Sequence, residues 1–225
     1  MCDRLKMALW FYTGADYLII NSFLWQNRYA LDECIQIVWN NNRNVIREAE
    51  EQTPKSRFGF SGIDEMRLYE SYRARTPETL SDKAKGQMLD QAMDDIRCIC
   101  HAMHLAHQEM KLIRNVDRRY AIKDFDVGGK IELKGLTSTS TTGQLIDYGK
   151  EDYRKPGQIL RIHVAAGLPF LSIIENNENE VILPPMVYRV LDRYEENETE
   201  VVDLQAMCPL DLERLIGEAK AACRE

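Results

Sequence analysis

Glu178 and Glu180 stand two residues apart, just before the apolar run Val181 to Leu183 of a 225-residue chain. In an extended strand, positions i and i+2 point to the same face. If Glu180 begins a strand Glu180 to Leu183, both carboxylates project to one side, close enough to share a substrate. Like charges so placed cost free energy unless a cation or a hydrogen-bond donor lies between them. An electron-poor sugar and a guanidinium would supply that compensation. Two further groups could join them. Arg118 and Arg119 fall within a predicted strand, Asn115 to Ile122, and the planar guanidinium donates two parallel hydrogen bonds that suit phosphate oxygens. Ser138, Thr139 and Ser140 sit in a hydroxyl run, Thr137 to Thr142. Each group alone has a plain alternative: a solvated acidic loop, surface charge in a strand, and an edge strand or linker.

The elements that must position them fall into blocks. Asp3 to Phe11 and Tyr17 to Gln26 have periodic apolar faces, with a break at Gly14. Leu31 to Glu51 continues as helix, Pro54 to Gly62 reads as loop, and Ile63 to Arg73 as a short helix. Thr79, Ser81 and Asp82 offer caps for a long helix running to about His107. From Arg114 the chain changes to short β-prone runs: Asn115 to Ile122, Lys130 to Leu136, Gln158 to Val164, Leu171 to Ile174, Val181 to Leu183 and Val187 to Leu191. Gly128-Gly129 and Pro156-Gly157 are turns, and Pro209 to Ala222 closes the chain as a helix. Helices then strands in blocks predict an α+β fold with antiparallel sheet, not a doubly wound one. No Gly-x-Gly-x-x-Gly and no phosphate-cradling Lys loop is present.

Composition narrows the class. Apolar residues make up 44% and charged residues 29%, as in soluble globular domains. A formal net charge of -7 argues against general nucleic-acid binding. No apolar run is long enough to span a membrane. The opening Met1-Cys-Asp-Arg-Leu-Lys-Met7 lacks the apolar segment of a secretory signal, so the six cysteines are expected to be free thiols in a cytosolic-type protein. Delivery by a secretion machine that needs no such signal would leave the same composition. Cys98, Cys100, His101, His104 and His107 follow one another on the predicted helix, where steps of three put the histidines on one side. No second ligand segment with metal-site spacing accompanies them, so no metal is expected.

In their order and spacing the three groups resemble the arginine, Ser-Thr-Ser, Glu-x-Glu class of mono-ADP-ribosyltransferases, which includes toxins and effectors. Trp10-Phe-Tyr-Thr-Gly-Ala-Asp-Tyr-Leu-Ile-Ile-Asn21 is similar to the helical opening of that family. Val127-Gly-Gly-Lys130, leading to Leu136-Thr-Ser-Thr-Ser140, is similar to its paired strands. Glu180-Val-Ile-Leu-Pro-Pro185 followed by Tyr188-Arg-Val190 is similar to its ending. The matches run from about Trp10 to Val190.

The resemblance implies a fold in which an N-terminal helical lobe (1–113) packs on a core of two antiparallel-rich β-sheets (114–205), closed by a C-terminal helix (206–225), all one catalytic domain. That domain would be a fragment or a minimal protein, since the chain opens almost at the family's first helix. The resemblance also implies NAD as co-substrate, without a metal. By position, Glu180 is expected to hold the ribose and stabilise an oxocarbenium-like cation, and Ser138 to orient Glu180. Arg118 is expected to grip the NAD phosphates, with Arg119 as a one-residue alternative; Asp117 stands where the family has an aromatic. Glu178 is expected to orient an acceptor guanidinium, so arginine is the expected target. Ser138, Thr139, Ser140 and Arg154 would line the nucleotide, and Tyr148, with Tyr153 second, would stack on nicotinamide. The turn Phe170 to Glu178 would meet the target protein. An NAD glycohydrolase, transfer to a non-arginine side chain, and an inactive binding module of the same fold are the alternatives.

Overall fold

The computed structural model describes residues 2–26, 28–51, 65–116, 121–141, 157–173 and 179–223. The fold is α+β, as the blockwise pattern predicts, and the chain divides into two compact units: Met1–Ala102 with Leu212–Glu225, and Met103–Asp211.

The first unit is helical. α1 (Asp3–Phe11) and α2 (Tyr17–Leu24) are expected to break at Gly14, but one π-helical turn, Tyr12–Asp16, joins them without interruption. The Thr13 hydroxyl donates to the Leu9 carbonyl at 2.9 Å, giving that backbone oxygen a partner where the turn widens. Gln26, with φ of 58°, ends α2. α3 (Arg28–Glu51) and α4 (Glu65–Arg75) follow. α5 (Asp82–His101) begins at Ser81, whose hydroxyl accepts from the Ala84 N–H at 3.2 Å, a cap visible in the sequence. α6 (Leu212–Ala222) completes the unit. Trp10 and Phe11 pack with Ile46, Leu68 and Tyr72, and the Trp10 Nε1–H donates to the Tyr72 hydroxyl at 3.0 Å. Among the described residues no helix is long and apolar enough to cross a membrane.

The second unit is β. Its strands are β1 (His104–Leu105), β2 (Met110–Val116), β3 (Lys130–Leu133), β4 (Thr137–Ser140), β5 (Gln158–Val164), β6 (Pro169–Ile173), β7 (Glu180–Leu183), β8 (Met186–Glu196) and β9 (Thr199–Pro209). Their order is β1-β6-β7-β4-β2-β5-β9-β8-β3. Two groups, β1-β6-β7-β4 and β2-β5-β9-β8-β3, are joined through one register pair between β2 and β4, Ile113↔Ser140. Among the described strands only β5 and β9 run parallel. Leu112, Val116, Leu160, Ile162, Val181, Leu183, Tyr188 and Leu204 share one apolar core.

Several boundaries differ from the sequence reading, each for a local reason. α5 stops at His101 because His104 pairs with Phe170 as a strand, so His101, His104 and His107 do not share a helix. β9 has no counterpart among the predicted strands, and 206–209 belong to it and not to the closing helix. Asn197 and Glu198, at φ of 50° and 62°, turn β8 into β9 as a two-residue hairpin. β2 begins at Met110 and ends at Val116, about five residues before the predicted run.

Charge is concentrated at one buried point of the helical unit. Arg75 Nη2 lies 2.7 Å from Asp16 and 2.6 Å from Asp95, Arg4 lies 2.6 Å from the other Asp95 oxygen, and the Arg75 guanidinium sits 3.7 Å from the Phe11 ring centre. Burial pushes the Asp16 carboxyl up from 3.8 to about 7; Arg75 opposes the shift and Asp95 adds to it. Between about pH 4 and 7 the folded chain therefore holds a proton that the unfolded chain has released. Stability contributed through Asp16 falls as pH rises through that window and is level above it. Wild type should lose stability relative to Asp16→Asn between pH 5 and pH 7, by up to about 1.4 kcal/mol per pH unit. Thermal unfolding of both proteins across that range measures this, and parallel curves would contradict it.

Candidate active site

The site grows from the pairing of β4 with β7. Their antiparallel register sets Ser138 opposite Ile182 and Ser140 opposite Glu180, while Thr137 faces Leu183 and Thr139 faces Val181. Residues directly opposite share a side, so the ribbon has two unlike faces. One carries Ser138, Ser140, Glu180 and Ile182. The other carries Thr137, Thr139, Val181 and Leu183 and turns to the core. β6 extends the first face with Ile173 opposite Glu180 and Leu171 opposite Ile182.

Glu180 is the first residue of β7 and is only 6% exposed. Its Oε1 accepts a short hydrogen bond from the Ser138 Oγ, a diagonal contact across the ribbon. A carboxylate withdrawn from water needs such donors, because an unpaired buried charge costs several kcal/mol. Thr139, expected beside the nucleotide, turns the other way: its Oγ1 donates to the Val181 carbonyl at 2.6 Å and it is buried. Its side chain therefore serves the ribbon and not the serine–glutamate face. Ser140 is half-buried on that face.

The structure adds a residue that the sequence reading passes over. Arg114 lies in β2, and its Nη1 donates to the Ser138 carbonyl at 3.0 Å. Strand alternation puts it on the same side as Leu112 and Val116, both buried in the core. A signal for it exists in the sequence: Leu112-x-Arg114-x-Val116 sets a guanidinium at an inward position of an apolar pattern. Arg118 and Arg119 lie past the end of β2 and outside the described residues, as do Tyr148, Tyr153, Arg154 and Glu178.

The edges of those segments are fixed. The Gly157 N–H donates to the Val116 carbonyl at 3.0 Å. Gln158, fully buried, accepts from the Ile122 N–H and donates to the Ile122 carbonyl, both at 2.9 Å, and also donates to Glu200 at 2.6 Å. Asn179, immediately before Glu180, has φ of 47°. Asparagine tolerates this left-handed conformation better than most residues. The inference that Glu178 and Glu180 share a face requires an extended residue between them, and Asn179 is not extended.

No family model matches this chain, and no curated protein does. Solved structures resemble it at low identity. The catalytic domain of VahC from Aeromonas hydrophila is 14% identical over 92% of this chain and 100% of that one, with a TM-score of 0.49. The enzymatic component of the C2-toxin from Clostridium botulinum is 14% identical over 94% of this chain and 44% of that one, with a TM-score of 0.49. An ADP-ribosyltransferase from Clostridium botulinum is 16% identical over 91% of this chain and 87% of that one, with a TM-score of 0.45.

Because the Thr139 hydroxyl is spent on the Val181 carbonyl, Thr139→Val should lower stability by about 1 kcal/mol, the usual net value of one intramolecular hydrogen bond. Urea unfolding read by far-ultraviolet circular dichroism measures it. An unchanged midpoint would mean that the hydroxyl has no part in holding β4 to β7.

Proposed function

We propose that this chain transfers ADP-ribose from NAD to a side chain of a target protein, with arginine as acceptor, and releases nicotinamide. The observation that carries this reading is the Ser138–Glu180 hydrogen bond on a nearly buried carboxylate. It is supported by the ordered motifs of the sequence, from Trp10 to Val190.

In this reading the bond between nicotinamide nitrogen and ribose C1′ breaks, and nicotinamide leaves with the electron pair. The sugar becomes an oxocarbenium-like cation, as in glycoside cleavage. Glu180, fixed by Ser138, stabilises that charge and holds the ribose. Fixed, preorganised charge of this kind is a large source of rate. An acceptor guanidinium nitrogen then attacks C1′ and gives up a proton, and Glu178 holds and activates that guanidinium. Ser140 lines the ribose side of the same face, and Tyr148 with Arg154 covers nicotinamide and phosphate. Arg114 takes the role of phosphate grip for which Arg118 and Arg119 are the sequence candidates, because it reaches the strand that carries Ser138. The target protein is met through the segment Phe170 to Glu178, whose first four residues belong to β6, in a cytosol, the cell's own or that of a host that receives the protein.

Three measurements test this. Glu180→Gln should reduce nicotinamide release by about 10²–10³ while the protein remains folded; near-normal release would remove the basis of the assignment. Calorimetric titration of NAD into Arg114→Lys, Arg118→Lys and Arg119→Lys should show the weakest binding for Arg114→Lys, which keeps the charge but loses the paired donors. Weak binding by Arg118→Lys alone would return the role to that residue. Glu178→Gln should lose protein labelling and keep a share of NAD hydrolysis. Equal loss of both would put Glu178 in the NAD site, and intact labelling would mean that arginine is not the acceptor.

A further inference from the structure

The strands β2, β5, β9, β8 and β3 turn one face to the apolar core. On their other face the registers line up a single transverse row. Lys111 of β2 stands opposite His163 of β5, and His163 lies beside Gln205 of β9. Gln205 stands opposite Arg189 of β8, and Arg189 opposite Lys130 of β3. Residues directly opposite share a side. The chain neighbours Leu112, Ile162, Leu204, Tyr188 and Ile131 all pack in or against the core, so alternation turns the row away from it. From end to end the row is about 19 Å long at the usual strand spacing.

Lys111, Arg189 and Lys130 are exposed, and His163 is half-buried. The other arginines of β5 and β8 are neutralised, Arg161 by Glu196 and Arg193 by Glu200. Among the described residues no carboxylate pairs with Lys111, His163, Arg189 or Lys130. Sheet packing gives no reason for such a row. Like charges directly opposite destabilise a sheet, and Arg189 faces Lys130. A lysine on an edge strand guards against edge-to-edge pairing, which explains Lys130 in β3. It does not explain Arg189 or Lys111, whose strands have neighbours on both sides.

The row is one side chain wide. Asp203, two residues before Gln205, and Glu132, two residues after Lys130, share its face and flank it on opposite sides. A broad anionic surface, such as a membrane or a nucleic-acid duplex, would press on these carboxylates as well. Among the described residues no aromatic side chain stands in the row or beside it, so unpaired bases would find nothing to stack on. A narrow anion matches the row: one extended chain with carboxylates along one side, about six residues long at strand rise.

We propose that this face docks an extended acidic segment of a partner protein, whose carboxylates meet Lys111, Arg189 and Lys130, with His163 donating a hydrogen bond beside them. The segment lies across the strands and is held by side chains, without adding a strand to the sheet. The surface does not depend on the reading of the site as an NAD site, and its test uses no nucleotide.

The experiment is fluorescence anisotropy of a labelled peptide of alternating glutamate and serine, about eight residues long, titrated with the full chain. Binding is expected at low salt and should weaken as salt rises. Arg189→Glu and Lys111→Glu should each weaken it about fivefold, because reversal replaces an exposed attraction by a repulsion of similar size. Lys83→Glu makes the same change of net charge at an exposed position of α5. It should leave binding within about twofold, since distant exposed charges are screened. No binding by wild type, or an equal loss in Lys83→Glu, would overturn the proposal. So would binding as tight or tighter to single-stranded oligothymidine, or to vesicles of phosphatidylserine and phosphatidylcholine in equal parts. Sedimentation velocity tests the remaining occupant: a dimer that Arg189→Glu dissolves would make it a second copy and overturn the proposal too. Arg189→Thr should unfold at the same or a higher temperature, since it removes a like-charge pair. A lower temperature would assign the arginine to the sheet itself and overturn the docking role.

Discussion

A carboxylate almost shut off from water at the start of a strand persists only where donors are built around it. Glu180 is in that position, and the Ser138 hydroxyl meets it across the β4–β7 ribbon. That contact depends on register. Side chains alternate strictly, so a slip of one residue would bring Thr139 and Val181 to the polar face and drive Ser138 and Glu180 into the core. The Thr139 bond to the Val181 carbonyl and the packing of Val181 and Leu183 oppose such a slip. The same alternation that fills the core therefore sets the serine against the glutamate. Stability and site geometry are one constraint seen from two faces.

The helical unit solves a different electrostatic problem. Asp16 comes from the π-helical turn, Asp95 from α5, Arg75 from α4 and Arg4 from α1. Four segments thus meet at one cluster, and Phe11 covers the guanidinium of Arg75. An extra residue in the helical turn is what brings Asp16 round to Arg75 without ending the helix. Such turns recur where a side chain must be re-aimed. Buried charges of this kind add little net stability over apolar packing. They do penalise any arrangement of the helices that separates them.

Much of this is legible from residue order. The strands Gln158–Val164 and Glu180–Leu183, the cap at Ser81 and the blockwise α+β pattern follow from alternation, capping and turn chemistry. Three features are not legible, for physical reasons. Alternation places β2 too late because Arg114 interrupts its apolar pattern, and that same residue bonds to the strand that carries Ser138. β9 is hidden because Asp203 and Gln205 dilute its apolar run and because its partner β8 carries a charged exposed end. The histidine row is helical by spacing, yet pairing of His104 with Phe170 takes that residue into the sheet and leaves His101 at the end of α5. Periodicity records local preference, and in these places long-range pairing decides. Type and spacing are enough to pick out the serine run and Glu180 as candidates, whereas the link from Arg114 to Ser138 needs the register of distant strands.

Gln158 spans a boundary that matters for how such a protein can change. Its amide grips Ile122 from both sides, and the neighbouring Gly157 ties to the end of β2. Val116 and Ile122 bracket one stretch of chain, and Gly157 closes another. All three anchor points converge on one side chain and its neighbour. Length or sequence can vary between fixed anchors at little thermodynamic cost, since closure entropy grows only slowly with loop length. The strand framework thus behaves as a socket, in which segments of different length and chemistry can be exchanged while Ser138 and Glu180 keep their places.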